Sequence, residues 1–257
     1  MEPASWQVAS SLTFEVEASA TIAFQVAVAH VPGRSVDDRL DVTTDGRPLE
    51  ARELRASDGG RIHRVDAPTG RLSVRYEASV SGEATGADGP AGDGEEVAVE
   101  RLVALRPSRY CPSDALLGFA AGELGERDPD AVLARDVVGW VTRRIAYTPG
   151  SSGPLDTAVE TLLTGQGVCR DFAHLTIGLA RAVGIPARLM AAYAPGLAPM
   201  DFHAVVEAYV EGAWHVFDPT GLAPRPSLLR IATGRDAADT AFLTTHGGRV
   251  DFETVHV

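Results

Sequence analysis

The chain contains no lysine and no asparagine. All 23 basic residues are therefore arginine, so no side-chain amine is available for the protein to cross-link to itself. Without asparagine, a catalytic histidine would have to be oriented by Asp, Glu or Gln. Positive charge is scarce as well, since 23 basic residues face 35 acidic ones for a net charge of -12. That balance argues against a general nucleic-acid or anionic-membrane binder. The two cysteines, Cys111 and Cys169, are too few for a disulfide framework or a thiolate zinc site. No apolar run approaches the roughly 20 residues that span a bilayer. The first residues carry Glu2 in place of a basic region and lead into no apolar stretch, so a cytoplasmic protein without a signal peptide is expected. A bridge between the two cysteines is disfavoured in that compartment.

What is present suffices for one large domain or two modest ones: 257 residues, 45% of them hydrophobic. From Val8 to about Glu100 the pattern is β-like. Thr13 to His30, Leu40 to Thr44, Arg61 to Val65 and Arg71 to Val80 read as strands, with Pro32-Gly33, Asp45-Gly46 and Pro68-Thr69-Gly70 between them. Such spacing suggests an antiparallel sandwich. Ser81 to Glu96, rich in Gly, Ala, Asp and Glu, reads as an exposed loop. His30 and His63 read as surface or turn histidines.

The character changes near Pro107. Ser113 is placed to cap a helix through Leu116, Leu117 and Phe119. Asp128-Pro129 reads as an N-cap and first helical position ahead of Val132, Leu133, Val137, Trp140 and Val141. Thr157 to Leu163 is a short helix stopped at Gly165. A further apolar stripe runs through Phe172, Ala173, Thr176, Ile177, Ala180 and Val183, and Gly184 ends it. After Ile185-Pro186 the period becomes two. Ala187 to Ala194, Phe202 to Val210 and Trp214 to Asp218 read as strands. The expected fold class is α+β: a β-rich, sandwich-like unit over 1–105, then a unit over 106–257 with a central helix on an antiparallel sheet.

Cys169 opens the central helix, immediately after Gly165-Gln166-Gly167-Val168. A helix N-terminus offers free backbone N–H groups and partial positive charge, a setting that favours nucleophilic sulfur. His203 lies on a strand, where a general base can be held rigidly. If Glu211-Gly212 forms a two-residue hairpin loop, Val210 pairs with Ala213 and Asp218 falls opposite Val205. Asp218 is then diagonal to His203 on the same face, at a Cα separation of about 7–8 Å. A three-residue loop would send it to the other face. Cys169, His203 and Asp218 are thus candidates for nucleophile, base and orienting group. The Cys169 N–H is one candidate oxyanion donor and Gln166 a weaker one. His174, five residues beyond Cys169, points about 140° away on a helix and reads as structural. Asp171 reads as a partner of the early helix N–H groups, and Cys111 as a small core residue.

The run Gly-Val-Cys-Arg-Asp-Phe-Ala-His at 167–174, Asp-Phe-His-Ala at 201–204 and Phe-Asp-Pro-Thr at 217–220 resembles the bacterial transglutaminase-like superfamily. Residues 108–114 and 230–239 are similar to it as well. The likeness covers about 150 residues well and the first 100 loosely. One departure is Val205, where many relatives carry Trp. The resemblance implies a papain-like core with Cys169, His203 and Asp218 at the triad positions. It implies acyl transfer on a peptide, protein or small amide through a thioester, as peptidase, amidase or transamidase, without metal or organic cofactor. Two other readings are acyl-CoA-dependent N-acyl transfer and a catalytically silent peptide-binding module. The substrate and the oligomeric state cannot be read from the sequence.

Overall fold

The computed structural model describes residues 4–56, 58–82 and 94–257. Of the stretch read as an exposed loop, residues 83–93 lie outside the described residues. The N-terminal strands are β1 (Ala4–Ala18), β2 (Ala20–Phe24), β3 (Arg34–Thr44), β4 (Arg47–Pro48), β5 (Arg52–Arg55), β6 (Arg61–Ala67) and β7 (Gly70–Gly82). Period-two burial fixes their inner faces: β7 buries Leu72, Val74, Tyr76, Ala78 and Val80, and β1 buries Leu12, Phe14 and Val16. His63, expected at the surface, is buried 3.5 Å from Glu53.

Helix α1 (Glu95–Ala104) is unexpected: it starts at the end of the stretch read as a loop and runs past the end of the β-like pattern. Its Val97-Ala98-Val99 alternation mimics a period of two, but Glu95 and Glu96 complement the dipole of a helix start. A 3-10 turn over Ser113–Leu116 leads into α2 (Leu117–Leu124), with no side-chain cap from Ser113. Then comes α3 (Ala131–Arg144). Its cap lies two residues later than expected, with Asp130 accepting the Leu133 N–H at 2.6 Å. The short strands β8 (Ala146–Tyr147) and β9 (Gln166–Gly167) enclose α4 (Ala158–Thr164), which Thr157 and Glu160 close with a capping box.

Helix α5 (Cys169–Ala182) is the centre of this half. Leu175, Ile177 and Leu179 are fully buried, each burial contributing roughly 1.5–3 kcal/mol. The helix packs on an antiparallel sheet of β10 (Ala187–Tyr193), β11 (Phe202–Val210), β12 (Ala213–Phe217) and β13 (Leu229–Gly234), in the order β12-β11-β10-β13. Leu189, Val206 and Ala208 supply the sheet side of that core.

The chain then returns to its beginning. Strands β14 (Leu243–His246) and β15 (Arg249–His256) complete the N-terminal sheets, in the orders β15-β1-β7-β3-β4 and β14-β2-β6-β5. Residues from β10 and β13, among them Tyr193, Leu229 and Ile231, enter the sandwich core. The Tyr193 hydroxyl donates to the Val26 carbonyl at 2.8 Å, and the Ala29 N–H donates to the Arg230 carbonyl at 2.8 Å. No helix among the described residues is long and apolar enough to cross a membrane.

Candidate active site

Two glycines bring Cys169 to the head of α5. Gly165 ends α4 in the left-handed region, at φ 68°. At Gly167 any Cβ would lie 2.6 Å from the Cβ of Asp171, so only glycine lets the helix start fold this closely. Asp171 is fully buried and reaches back to accept the Val168 N–H at 2.8 Å. It also accepts from Ser152 Oγ at 2.5 Å and pairs with Arg170 at 3.1 Å. The first turn of α5 is therefore tied down around the cysteine.

His203 is held from the other side by the β11–β12 hairpin. Glu211 and Gly212 have φ values of 53° and 81°, the two positive values of a type I′ turn. The ladder runs from Val210 opposite Ala213 to Val206 opposite Phe217. This is the two-residue register; the ladder ends there, and Asp218 follows directly after Phe217. His203 Nε2 and Asp218 Oδ2 are 2.9 Å apart. Asp218 is itself fixed: Oδ1 accepts the Thr220 N–H at 2.9 Å and the Thr220 hydroxyl at 2.6 Å.

Nε2 is taken by Asp218, and Cys169 lies close enough to bear on the charge of the ring. Burial by itself would lower the His203 pKa. Hydrogen bonds to Asp218 and Cys169 outweigh it and raise the ring to about 9. Burial pushes Asp218 up, but its bonds from His203 and Thr220 hold it below the usual carboxylate range. The arrangement brings the Cys169 thiol, the His203 ring and an anchored carboxylate to one site.

Two residues stand apart from the thiol. Gln166 is exposed in β9 and contributes nothing to the cavity that Cys169 lines. Cys111 is completely buried in the helical core, where burial raises its thiol pKa and keeps it protonated. Both cysteines are free. Among the described residues no group of His, Cys, Asp and Glu is arranged to hold a metal ion.

Tyr147 escapes sequence reasoning. In β8 it pairs with Gly167, and its ring packs on Phe172 at 5.9 Å. Cys169 lies close enough to bear on the charge of the Tyr147 hydroxyl. Burial and the neighbouring Cys169 and Asp201 raise the phenol pKa, so the hydroxyl keeps its proton. The available signal was Ile145-Ala146-Tyr147 after a helix end, a strand too short to distinguish by period.

A cavity of about 460 Å³ opens beside the pair, with Cys169, His203, Tyr110 and Asp201 in its wall. His174 lies behind that wall, stacked on Tyr110 with centroids 5.1 Å apart.

Residues 119–219 match the family model described as the transglutaminase-like superfamily. The chain is 33% identical to a protein from Cytophaga hutchinsonii whose crystal structure is that of "a Putative Cysteine Protease". That match covers 100% of this chain and 90% of the other, at a TM-score of 0.87. An uncharacterized protein of Mycobacterium leprae is 27% identical over 149 residues, 53% of this chain and 52% of that protein. An uncharacterized protein of Mycobacterium tuberculosis H37Rv is 32% identical over 104 residues, 40% of this chain and 32% of that protein. The chain thus spans about half, or less, of the mycobacterial relatives' length.

Proposed function

This chain belongs to the transglutaminase-like superfamily, and from that premise we propose that it transfers acyl groups through a thioester on Cys169, with peptide or protein amides as donors. The observation that carries the reading is the single imidazole shared by Cys169 and Asp218.

The Cys169 sulfur attacks the amide carbonyl carbon while its proton resides on His203. Asp218 fixes the ring orientation through Nε2 and stabilises the imidazolium. As the C–N bond breaks, His203 gives the proton to the departing nitrogen, leaving a thioester and a free amine. In the second half, water attacks the thioester, His203 takes one of its protons, and the sulfur leaves. An acid and the free enzyme result. An amine in place of water gives transamidation.

The tetrahedral oxyanion is received at the Cys169 N–H, with Tyr147 beside it on β8, packed on Phe172. The Tyr147 hydroxyl serves as the second donor in place of Gln166. Tyr147→Phe is expected to lower kcat about 10-fold or more with little change in KM.

The test of the reading is covalent capture. A peptidyl vinyl sulfone is expected to add once, at Cys169, by intact and peptide mass, and not at all to Cys169→Ala. Addition only at Cys111, or none in the wild type, contradicts the reading.

A further inference from the structure

The cavity beside Cys169 is larger than a carbonyl needs. Its volume, about 460 Å³, lies in the roughly 300–1,000 Å³ range of small-molecule sites. Apart from the catalytic pair, the wall is mostly apolar: Leu189, Phe202, Ile231, Phe242, Phe252 and Val255. These side chains come from three places, namely the central sheet, the segment just before β14, and β15 of the sandwich.

The aromatic part is arranged but not covered. Phe202 stacks on Phe242 with centroids 5.7 Å apart, and Phe242 meets Phe252 at 6.1 Å. Phe242 and Phe252 nevertheless remain 36% and 48% exposed. Rings left in water beside a nucleophile are surface that an apolar substrate group would bury with a gain in free energy. The charged groups of the wall do not compete for that role. Arg170 is engaged by Asp171 at 3.1 Å and by the Gly153 carbonyl at 2.7 Å. Asp201 would repel an acidic side chain. A small amide leaves such a volume unfilled, whereas a bulky side chain with its flanking backbone fills it.

We propose that this cavity is the specificity pocket of the enzyme, taking an aromatic or branched aliphatic side chain of a peptide within two residues of the scissile carbonyl on the acyl side. The inference rests on the acyl-transfer reading. It also gives the two C-terminal strands a function: β14 and β15 bring a wall of the sandwich to the nucleophile.

The test uses the full chain and capped tripeptidyl vinyl sulfones. The two residues preceding the warhead are varied in turn through Phe, Leu, Gly and Asp. The rate of Cys169 adduct formation is read by mass and divided by the iodoacetamide rate of the same protein. At one of the two positions Phe and Leu are expected to react about 10-fold or more faster than Gly and Asp. Ala241→Phe, which fills the pocket, and Phe242→Ala, which removes its stacked wall, should each reduce that preference to about 3-fold or less. A flat series at both positions overturns the pocket. So does a preference that neither variant alters. A flat series with iodoacetamide alkylation that still depends on His203 leaves acyl transfer standing. No adduct at all, with alkylation indifferent to His203→Ala, removes both.

Discussion

Two histidines of the helical half are almost completely buried, and their ring pKa values move in opposite directions. His174, on α5, stacks flat on Tyr110, and its Nε2 accepts the Ala237 N–H at 3.2 Å. Its Nδ1 has no hydrogen-bond partner among the described residues. Burial dominates there and drives its pKa down to about 4. His203 is buried on β11, yet Asp218 and Cys169 raise it to about 9. Burial acts in the same direction on both rings. What separates a packing histidine from a proton carrier is whether an anion is placed at hydrogen-bond distance. At His203 that anion is delivered by hairpin register, and at His174 the facing group is a neutral ring.

The largest expected difference between the two is in turnover. His203→Ala should lower kcat/KM about 10³-fold or more. His174→Phe should leave turnover within about 10-fold and instead cost about 1–3 kcal/mol of stability, through the orphaned Ala237 N–H. Equal losses of activity in both variants would erase the distinction.

The hairpin comes next. One glycine inserted between Glu211 and Gly212 makes a three-residue loop and turns Asp218 away from His203. Turnover is expected to fall about 100-fold. The control, Glu211→Asn, keeps a two-residue type I′ turn and should stay within a few-fold. If the insertion is silent, Asp218 is not the orienting group.

The smallest effect is on stability against pH, with opposite signs for the two rings. Both start from 6.5 in the unfolded chain. His203, raised to about 9, contributes stability that is complete below 6.5 and lost as pH climbs through 9. For His174, lowered to about 4, only the unfolded chain binds the proton between 6.5 and 4, so stability falls as pH drops through that window. Urea unfolding should flatten on the alkaline flank in His203→Ala and on the acid flank in His174→Phe. The reverse assignment would contradict the two environments.

Local chemistry made much of this legible in the sequence. The Gly165–Val168 approach, the α5 stripe and the Glu211-Gly212 register all depend on contacts within a few residues or across one tight turn. The α+β class followed from the change of period at Pro186. Four features were beyond such patterns. The return of β14 and β15 to β2 and β1 pairs residues more than 200 positions apart, which no periodicity encodes. Helix α1 hid behind a Val-Ala-Val alternation. Tyr147 depends on a two-residue strand, and the aromatic cavity on Phe242 and Phe252 arriving from that distant return.

The most direct test of the central claim is the rate of Cys169 alkylation by iodoacetamide at pH 7 in the wild type and in His203→Ala, with Cys111 read in the same digests. Cys169 of the wild type is expected to react about 10-fold or more faster than Cys169 of the variant, and Cys111 to remain unmodified in both. Equal rates at Cys169 would mean that His203 does not activate the sulfur, and would contradict the account.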